Sequence, residues 1–192
     1  MSKKSIAILT VVLAILIDQI TKIYVKTHFF LGEEVVVFPN WFIIHFTENN
    51  GMAWGFEFGG RGGKLFLTLF RLVAISGIIY WLIQTIKSKV HNGVVIAISL
   101  ILAGAVGNII DSVFYGVIFN TPPGRGVATL FSDQPYGELF YGKVVDMLYF
   151  PLYKGESFTF FNAIFNGADS WITIGVALLF IYHKQAFPKK EE

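Results

Sequence analysis

The chain has 192 residues, of which 54% are hydrophobic and only 15% are charged, and its formal net charge is +2. Soluble domains usually carry about 25% charged residues, so this composition indicates a membrane protein. Its length fits one domain. The absence of cysteine excludes disulfides, thiol catalysis and zinc–thiolate sites, and so small a net charge argues against nucleic-acid binding.

Four apolar segments predict four membrane-spanning helices. A helix needs about 20 apolar residues to cross the ~30 Å hydrocarbon core of a bilayer, at ~1.5 Å per residue. We therefore expect an all-α membrane protein, a four-transmembrane-helix bundle that forms a single integral membrane domain over residues 1–192. The expected spans cover about residues 5–26, 65–86, 94–117 and 167–187.

The first apolar segment allows a second interpretation. It follows two lysines, and the run from Ile6 to Ile17 is interrupted only by Thr10, as in a cleaved signal peptide. However, no small-x-small cleavage site follows the run, and three further apolar segments come later. We expect the helix instead to continue through a polar third to about Lys26.

Two long polar connections separate the spans, at about residues 27–64 and 118–166. In the first, residues 35–39 and 41–46 are rich in β-branched and aromatic side chains. Such runs on either side of a Pro39–Asn40 turn signal predict two short strands.

Lysine placement predicts the orientation of the spans. Lysines cluster before the first span, in the short link between the second and third spans, and near the C-terminal end, and such clusters favour the cytoplasm. The clustered lysines are Lys3, Lys4, Lys87, Lys89, Lys184, Lys189 and Lys190. Both termini are then cytoplasmic, and both long connections are extracytoplasmic.

Four aspartates are predicted at one side of the bilayer. If the first and third spans enter from the cytoplasm, Asp18 lies ~20 Å across and Asp111 ~25 Å across, at ~1.5 Å per residue. Asp169 is at the outer end of the fourth span, and Asp146 is in the second outer connection, between apolar pairs. A charge in or beside hydrocarbon needs a structural partner or a function.

Each of these polar residues also has a purely structural interpretation. A capping side chain, a helical ion pair and a snorkelling cation are all common in proteins. The alternatives are a helix cap for Asn166 or Asp169, an i, i+4 pair of Asp18 with Lys22, a contact of Asp111 with backbone groups or Asn108, and snorkelling of Arg71, which otherwise pairs with a buried carboxylate.

Carboxylates are the acid and base groups that cluster in this sequence. The histidines are scattered without the His-Glu-x-x-His metal spacing, and neither a Gly-x-Ser-x-Gly elbow nor a phosphate loop is present. Two close carboxylates share one proton. Such a pair can activate water and protonate a leaving amine, so it predicts peptide-bond hydrolysis. Spacing alone does not choose which two aspartates form the pair.

Two other classes of function compete with a peptidase. A small proton-coupled transporter would use the aspartates as a relay across the membrane, but they gather at one side. A scaffold or assembly protein would tolerate substitution of each aspartate.

Five motifs, spread from the first span to the fourth, occur in one order that resembles the bacterial lipoprotein signal peptidases (signal peptidase II). Each motif alone is weak, and the ordered set with four spans is specific. The motifs are Asp18-Gln19-Ile20-Thr21-Lys22, Asn49-Asn50-Gly51-Met52-Ala53-Trp54-Gly55, Gly107-Asn108-Ile109-Ile110-Asp111, Val144-Val145-Asp146 and Phe165-Asn166-Gly167-Ala168-Asp169.

The resemblance implies an aspartic endopeptidase of the cytoplasmic (inner) membrane that acts without a cofactor or metal. Its partners would be membrane lipid and prolipoproteins, which it cuts before a diacylglyceryl-modified cysteine. By the resemblance, Asp146 and Asp169 are the catalytic pair, at the extracytoplasmic face, within a small β-sheet cradle and outer loops. We expect a monomer, because one chain supplies both aspartates. The expected supporting residues are Asp18, Lys22, Asn49, Gly51, Asn108, Asp111, Asn166, Ala168 and Arg71.

Two departures from the family pattern stand out. The family usually has arginine directly after the third-span aspartate, where this chain has Ser112. Arg71 and Lys143 are the candidates for the missing cation. The connection before Asp146 is also longer than expected, and its stretch 120–141 is predicted to be either a lid over the substrate groove or a tolerated surface insertion.

Overall fold

The computed structural model describes residues 1–39, 41–51, 60–151, 153–154, 159–160 and 162–186. Most of these residues are helical. Helices α1 (Lys3–His28), α2 (Gly60–Lys87) and α3 (Asn92–Ile118) are each long and apolar enough to cross a membrane. Each of the first three predicted spans lies within one of these helices.

The fourth apolar segment is shorter as a helix than we predicted. Helix α4 (Gly167–Ile181) begins at the predicted residue but has 15 residues, which gives ~22 Å at ~1.5 Å per residue. A turn at Tyr182 separates it from the short helix α5 (His183–Ala186). Phe187, the predicted end of the span, lies outside the described residues. The count of four spans therefore stays a prediction.

A small antiparallel sheet accompanies the helices. Its strand order is β1-β2-β3-β6, and a separate two-stranded sheet contains β4 and β5. Strands β1 and β2 confirm the two predicted strands, and Asn40 of the predicted turn lies outside the described residues. The strands are β1 (Glu34–Phe38), β2 (Phe42–Asn49), β3 (Val144–Tyr149), β4 (Tyr153–Lys154), β5 (Thr159–Phe160) and β6 (Ile164–Phe165).

The chain divides into two compact units. The first contains Met1–Asp18, Phe70–Gly107 and the chain from Gly167 onward. The second contains Gln19–Leu69 and Asn108–Asn166, and thus both sheets.

Close helix packing characterises the first unit. Trp171 Nε1 in α4 donates a 3.1 Å hydrogen bond to the carbonyl of Ala14 in α1. On α3, a Cβ added to Gly104 would lie 2.2 Å from the carbonyl oxygen of Ala168 in α4. Small residues at such a crossing allow two helix backbones to approach closely, which is how helices associate in lipid. The start of α4 is thus held against α1 and α3.

The second unit is built around strand β3, which pairs with β2 on one side and β6 on the other. The first four residues of β3 are buried. An apolar cluster covers the sheet and joins it to the ends of α1 and α3, so the strand that carries Asp146 is part of the core. The cluster consists of Val25, Phe46, Tyr115, Phe119, Ala128, Val145 and Met147.

The stretch after α3 folds back onto the C-terminal end of that helix. The last carbonyls of a helix lack partners within the helix. The backbone N–H groups of Gly137 and Gly142 each donate a 2.9 Å hydrogen bond to a carbonyl in α3. The N–H of Ala128 donates to the Lys26 carbonyl in α1 at 3.3 Å. The stretch 120–141 is therefore anchored on two helices.

Candidate active site

Asp146 is a buried carboxylate with an amide donor on each oxygen. The residue lies in β3, is 5% exposed, and has buried apolar neighbours on both sides. Its Oδ2 accepts a hydrogen bond from the Asn49 side chain. Its Oδ1 accepts one from Asn166 Nδ2 at 2.7 Å. Burying a carboxylate is unfavourable unless it is hydrogen-bonded, so these two amides make its position possible.

The pairing of β2 with β3 places Asn49 beside Asp146. In the β2–β3 ladder, Thr47 lies opposite Asp146, and Asn49 lies two residues further along β2 on the same face. The amide is oriented because its Oδ1 accepts the Gly51 N–H. Gly51 has a φ of +90°, in the left-handed region that favours glycine. Met52 to Gly55, the rest of this motif, lie outside the described residues.

Asn166 links Asp146 to a second asparagine. Both of its amide hydrogens are used, one by Asp146 and the other by Asn108 Oδ1 in α3, at 3.1 Å. Asn166 is fully buried. The residue directly before α4 therefore ties β3 to α3.

Lys22 provides the cation of this cluster. Its Nζ lies 2.8 Å from Asp111 Oδ2, with both side chains fully buried, and donates to Asn108 Oδ1 at 2.9 Å. Asp111 also accepts from Gln19 Nε2 at 2.9 Å and from the Val145 N–H at 3.3 Å. A buried ion pair is tolerable only when such extra hydrogen bonds satisfy it.

These contacts form a closed ring, because Val145, whose N–H donates to Asp111, directly precedes Asp146 in the chain. Satisfied networks of this kind make a buried site rigid. The members, in order, are Asp146, Asn166, Asn108, Lys22, Asp111 and the backbone N–H of Val145.

Asp18 serves the start of helix α4. Its Oδ1 accepts the Ala168 N–H at 2.7 Å, and the residue is fully buried. The first N–H groups of a helix lack partners within the helix, so a carboxylate placed there stabilises the helix end. Gly107 makes room for it, because a Cβ at this position would lie 2.5 Å from Asp18 Oδ2.

Asp169 lies in the first turn of α4 and is partly exposed. Arg71 in α2 interacts electrostatically with its carboxylate. Arg71 and Lys143 were the two cations proposed for the role of the family arginine. Arg71 thus interacts with Asp169, and the Lys143 Nζ lies 3.8 Å from Glu48. The cation at Asp111 is Lys22.

The structure brings the predicted residues together in two groups. In the second unit the ring and the Asn49 side chain that donates to it bring together six of them: Asp146, Asn49, Asn166, Asn108, Lys22 and Asp111. Gly51 orients Asn49 there. Asp18 and Ala168 meet in the first unit, where Arg71 interacts with Asp169. Two residues beside the ring were not predicted as site residues. They are Gln19 and Tyr115, whose hydroxyl donates to Gln19 at 3.1 Å. The position of Gln19 directly after Asp18 in a conspicuous motif was the available signal.

Among the described residues, no three histidine, aspartate or glutamate side chains gather in a way that could hold a metal ion.

Comparison with known proteins identifies the relatives of this chain. The family model described as signal peptidase (SPase) II matches residues 10–184. A lipoprotein signal peptidase of Porphyromonas gingivalis is 48% identical over 184 residues, which cover 89% of this chain and 79% of the relative. One from Amoebophilus asiaticus is 36% identical over 183 residues, covering 87% and 72%.

A solved structure agrees with the sequence relatives. A bacterial membrane enzyme determined by the in meso method at 1.9 Å resolution matches with a TM-score of 0.64. It is 28% identical and covers 96% of this chain and 94% of its own. The similarity therefore extends over nearly the whole of both chains.

Proposed function

Because the chain belongs to the signal peptidase II family, we propose that it is a membrane aspartic endopeptidase that removes signal peptides from prolipoproteins. The bond it cuts precedes a cysteine that carries a diacylglyceryl group. The substrates are thus lipid-modified peptides, and the reaction needs neither a cofactor nor a metal ion.

The buried Asp146 carboxylate is the observation that carries this proposal. A purely structural aspartate in an apolar strand is unfavourable and needs partners. Here two side-chain amides and a closed ring of hydrogen bonds hold it in one orientation. A fixed carboxylate is what general acid–base chemistry requires, because proton transfer depends on geometry first.

Asp169 is the second member of the proposed catalytic pair. It lies three residues after Asn166, which donates a hydrogen bond to Asp146. In the proposed reaction one carboxylate is ionised and the other is protonated. Nine further residues hold this pair and the substrate. They are Asp18, Lys22, Asn49, Gly51, Asn108, Asp111, Asn166, Ala168 and Arg71.

The reaction proceeds by direct attack of water. The ionised aspartate removes a proton from water as the oxygen attacks the carbonyl carbon of the scissile bond, while the protonated one polarises the carbonyl oxygen. The carbon–nitrogen bond then breaks, and the leaving amine takes a proton from the pair. No covalent bond to the enzyme forms.

The membrane arrangement follows from the same proposal. The 192 residues form one integral domain of the inner membrane with four spans, both termini cytoplasmic and the catalytic pair at the extracytoplasmic face. The substrate enters sideways from lipid, so that its acyl chains stay in an apolar environment. One chain supplies both aspartates, and the enzyme acts as a monomer.

Cleavage of a defined precursor tests the proposal. The purified protein in detergent is incubated with a prolipoprotein that carries the diacylglyceryl cysteine, and with the same precursor without the lipid. We expect a gel shift only for the lipidated precursor, with the lipidated cysteine at the new N-terminus by mass spectrometry. Absence of cleavage by well-folded protein would refute the proposed function.

A further inference from the structure

A second, largely buried ion pair lies beside the strand that carries Asp146. Lys26, near the C-terminal end of α1, is 3% exposed and pairs with Glu48 in β2. Lys143 lies 3.8 Å from the other Glu48 oxygen. Neither Lys26 nor Glu48 contributes a hydrogen bond to Asp146. Breaking such a buried pair is strongly unfavourable, so the pair constrains where Glu48 can lie.

Aromatic rings enclose the ammonium group of Lys26. The Nζ atom lies 5.1 Å from the ring centroid of Phe119, 5.1 Å from that of Tyr136 and 6.0 Å from that of Phe46. These distances are within the range of cation–π attraction. The rings also exclude water, which strengthens the attraction between Lys26 and Glu48. The position therefore favours a cation.

The stretch 120–141 provides one wall of this enclosure. Tyr136 belongs to it, and its hydroxyl oxygen accepts the Lys143 N–H at 2.8 Å. Burial is the main cause that raises the pKa of Tyr136, and the negative charge of Glu48 adds to it. The hydroxyl thus stays neutral, and the stretch covers the ion pair.

Strand register connects this pair to Asp146. Glu48 lies opposite Val145, and Asn49, the next residue, is an amide donor to Asp146. The ladder is irregular between Ile44 and Thr47, directly before these residues. A slip of one residue would turn Asn49 to the opposite face of the sheet. A fixed Glu48 prevents that slip.

We propose that Lys26 and Glu48 are positioning residues, which lock β2 to α1 so that the Asn49 amide reaches Asp146. The stretch 120–141 shields this lock. The inference rests on the proposed function, since it assigns the lock to the catalytic rate. Independently of activity, we expect loss of the lock to loosen the pairing of β2 with β3.

Substitution of either charge tests the lock. We expect Glu48→Gln and Lys26→Met to lower kcat by about 10- to 100-fold, as small displacements of catalytic groups do. KM should stay within about twofold, because substrate contacts are unchanged. Lys26→Arg keeps the cation and should retain most activity. Glu138→Gln removes the carboxylate of an exposed ion pair and is the matched control.

A double-mutant cycle separates positioning from general destabilisation. If Glu48 acts through Asn49, Glu48→Gln should cause little further loss of kcat in an Asn49→Ala background. A loss that is equally large in both backgrounds would overturn the inference. So would wild-type values of kcat in both single variants.

Amide hydrogen exchange over residues 144–149 provides a readout that does not need activity. We expect faster exchange there in Glu48→Gln and Lys26→Met than in wild type or Glu138→Gln. Unchanged exchange would overturn the inference. Absence of cleavage by wild type would refute the proposed function, and the exchange result would still decide the structural claim.

Discussion

Asn166 shares its two amide hydrogens between Asp146, at 2.7 Å, and Asn108, at 3.1 Å. It therefore joins the strand that carries the candidate catalytic aspartate to helix α3. Asn166 lies just after the two-residue strand β6 and directly before α4.

Removal of this amide should reduce catalysis. A hydrogen bond to a charged group contributes about 1.5–3 kcal/mol, so we expect Asn166→Ala to lower kcat by about 10- to 150-fold. The measurement is the rate of cleavage of a lipidated prolipoprotein. The control is Asn162→Ala, which removes an exposed asparagine that bonds Tyr149. Equal rates for both variants would contradict the role of Asn166.

Lys22 and Asp111 form the buried ion pair of the ring. Lys22→Met leaves the Asp111 charge buried without its cation, and we expect a loss of about 3–5 kcal/mol in stability. Thermal unfolding in detergent measures this loss. Because the double variant Lys22→Met/Asp111→Asn no longer buries a lone charge, it should unfold at a higher temperature than Lys22→Met.

The exposed pair of Arg61 and Glu138 provides the control for this experiment. Arg61→Gln should leave the unfolding temperature unchanged, because exposed ion pairs contribute little. If Lys22→Met behaves like Arg61→Gln, the ring does not depend on its cation.

Gly107 lies where Asp18 approaches α3. A Cβ at this position would lie 2.5 Å from Asp18 Oδ2 and 3.2 Å from the Cβ of Ala168. We expect Gly107→Ala to destabilise the protein by about 1–3 kcal/mol, as overpacking does. The matched control is Gly77→Ala, because a Cβ at Gly77 has no atom within 4 Å.

The control should change stability in the other direction. Alanine is favoured over glycine in a helix by about 0.5–1 kcal/mol, so Gly77→Ala should raise the unfolding temperature slightly. Both variants are compared by thermal unfolding in the same detergent. A Gly107→Ala protein as stable as Gly77→Ala would show that Asp18 does not need the space.

Local patterns predicted the elements of the fold well. Apolar length predicted α1, α2 and α3, and β-branched and aromatic runs predicted β1 and β2. Strand β3 was not predicted, because Asp146 interrupts its apolar pattern. The charge of Asp146 is tolerated there because Asn49 in β2 and Asn166 after β6 donate hydrogen bonds to it. The end of helix α4 at Ile181 was not predicted, because hydropathy does not mark the turn at Tyr182.

The partners of each charge were harder to predict than the charges themselves. Lys22 and Asp111 are 89 positions apart in the chain, and the sequence offered Arg71 and Lys143 for the cation at this place. Only the packing of α1 against α3 brings Lys22 to Asp111. The ion pair of Lys26 with Glu48 had no motif to signal it.

Cleavage by aspartate variants tests whether Asp146 and Asp169 form the catalytic pair. Purified wild type, Asp146→Asn and Asp169→Asn are compared on one lipidated prolipoprotein, with Asp133→Asn as control because Asp133 is exposed in the stretch 120–141. Amide hydrogen exchange establishes that each variant is folded. We expect cleavage by wild type and Asp133→Asn and none by the other two. Full cleavage by Asp146→Asn or by Asp169→Asn would contradict it.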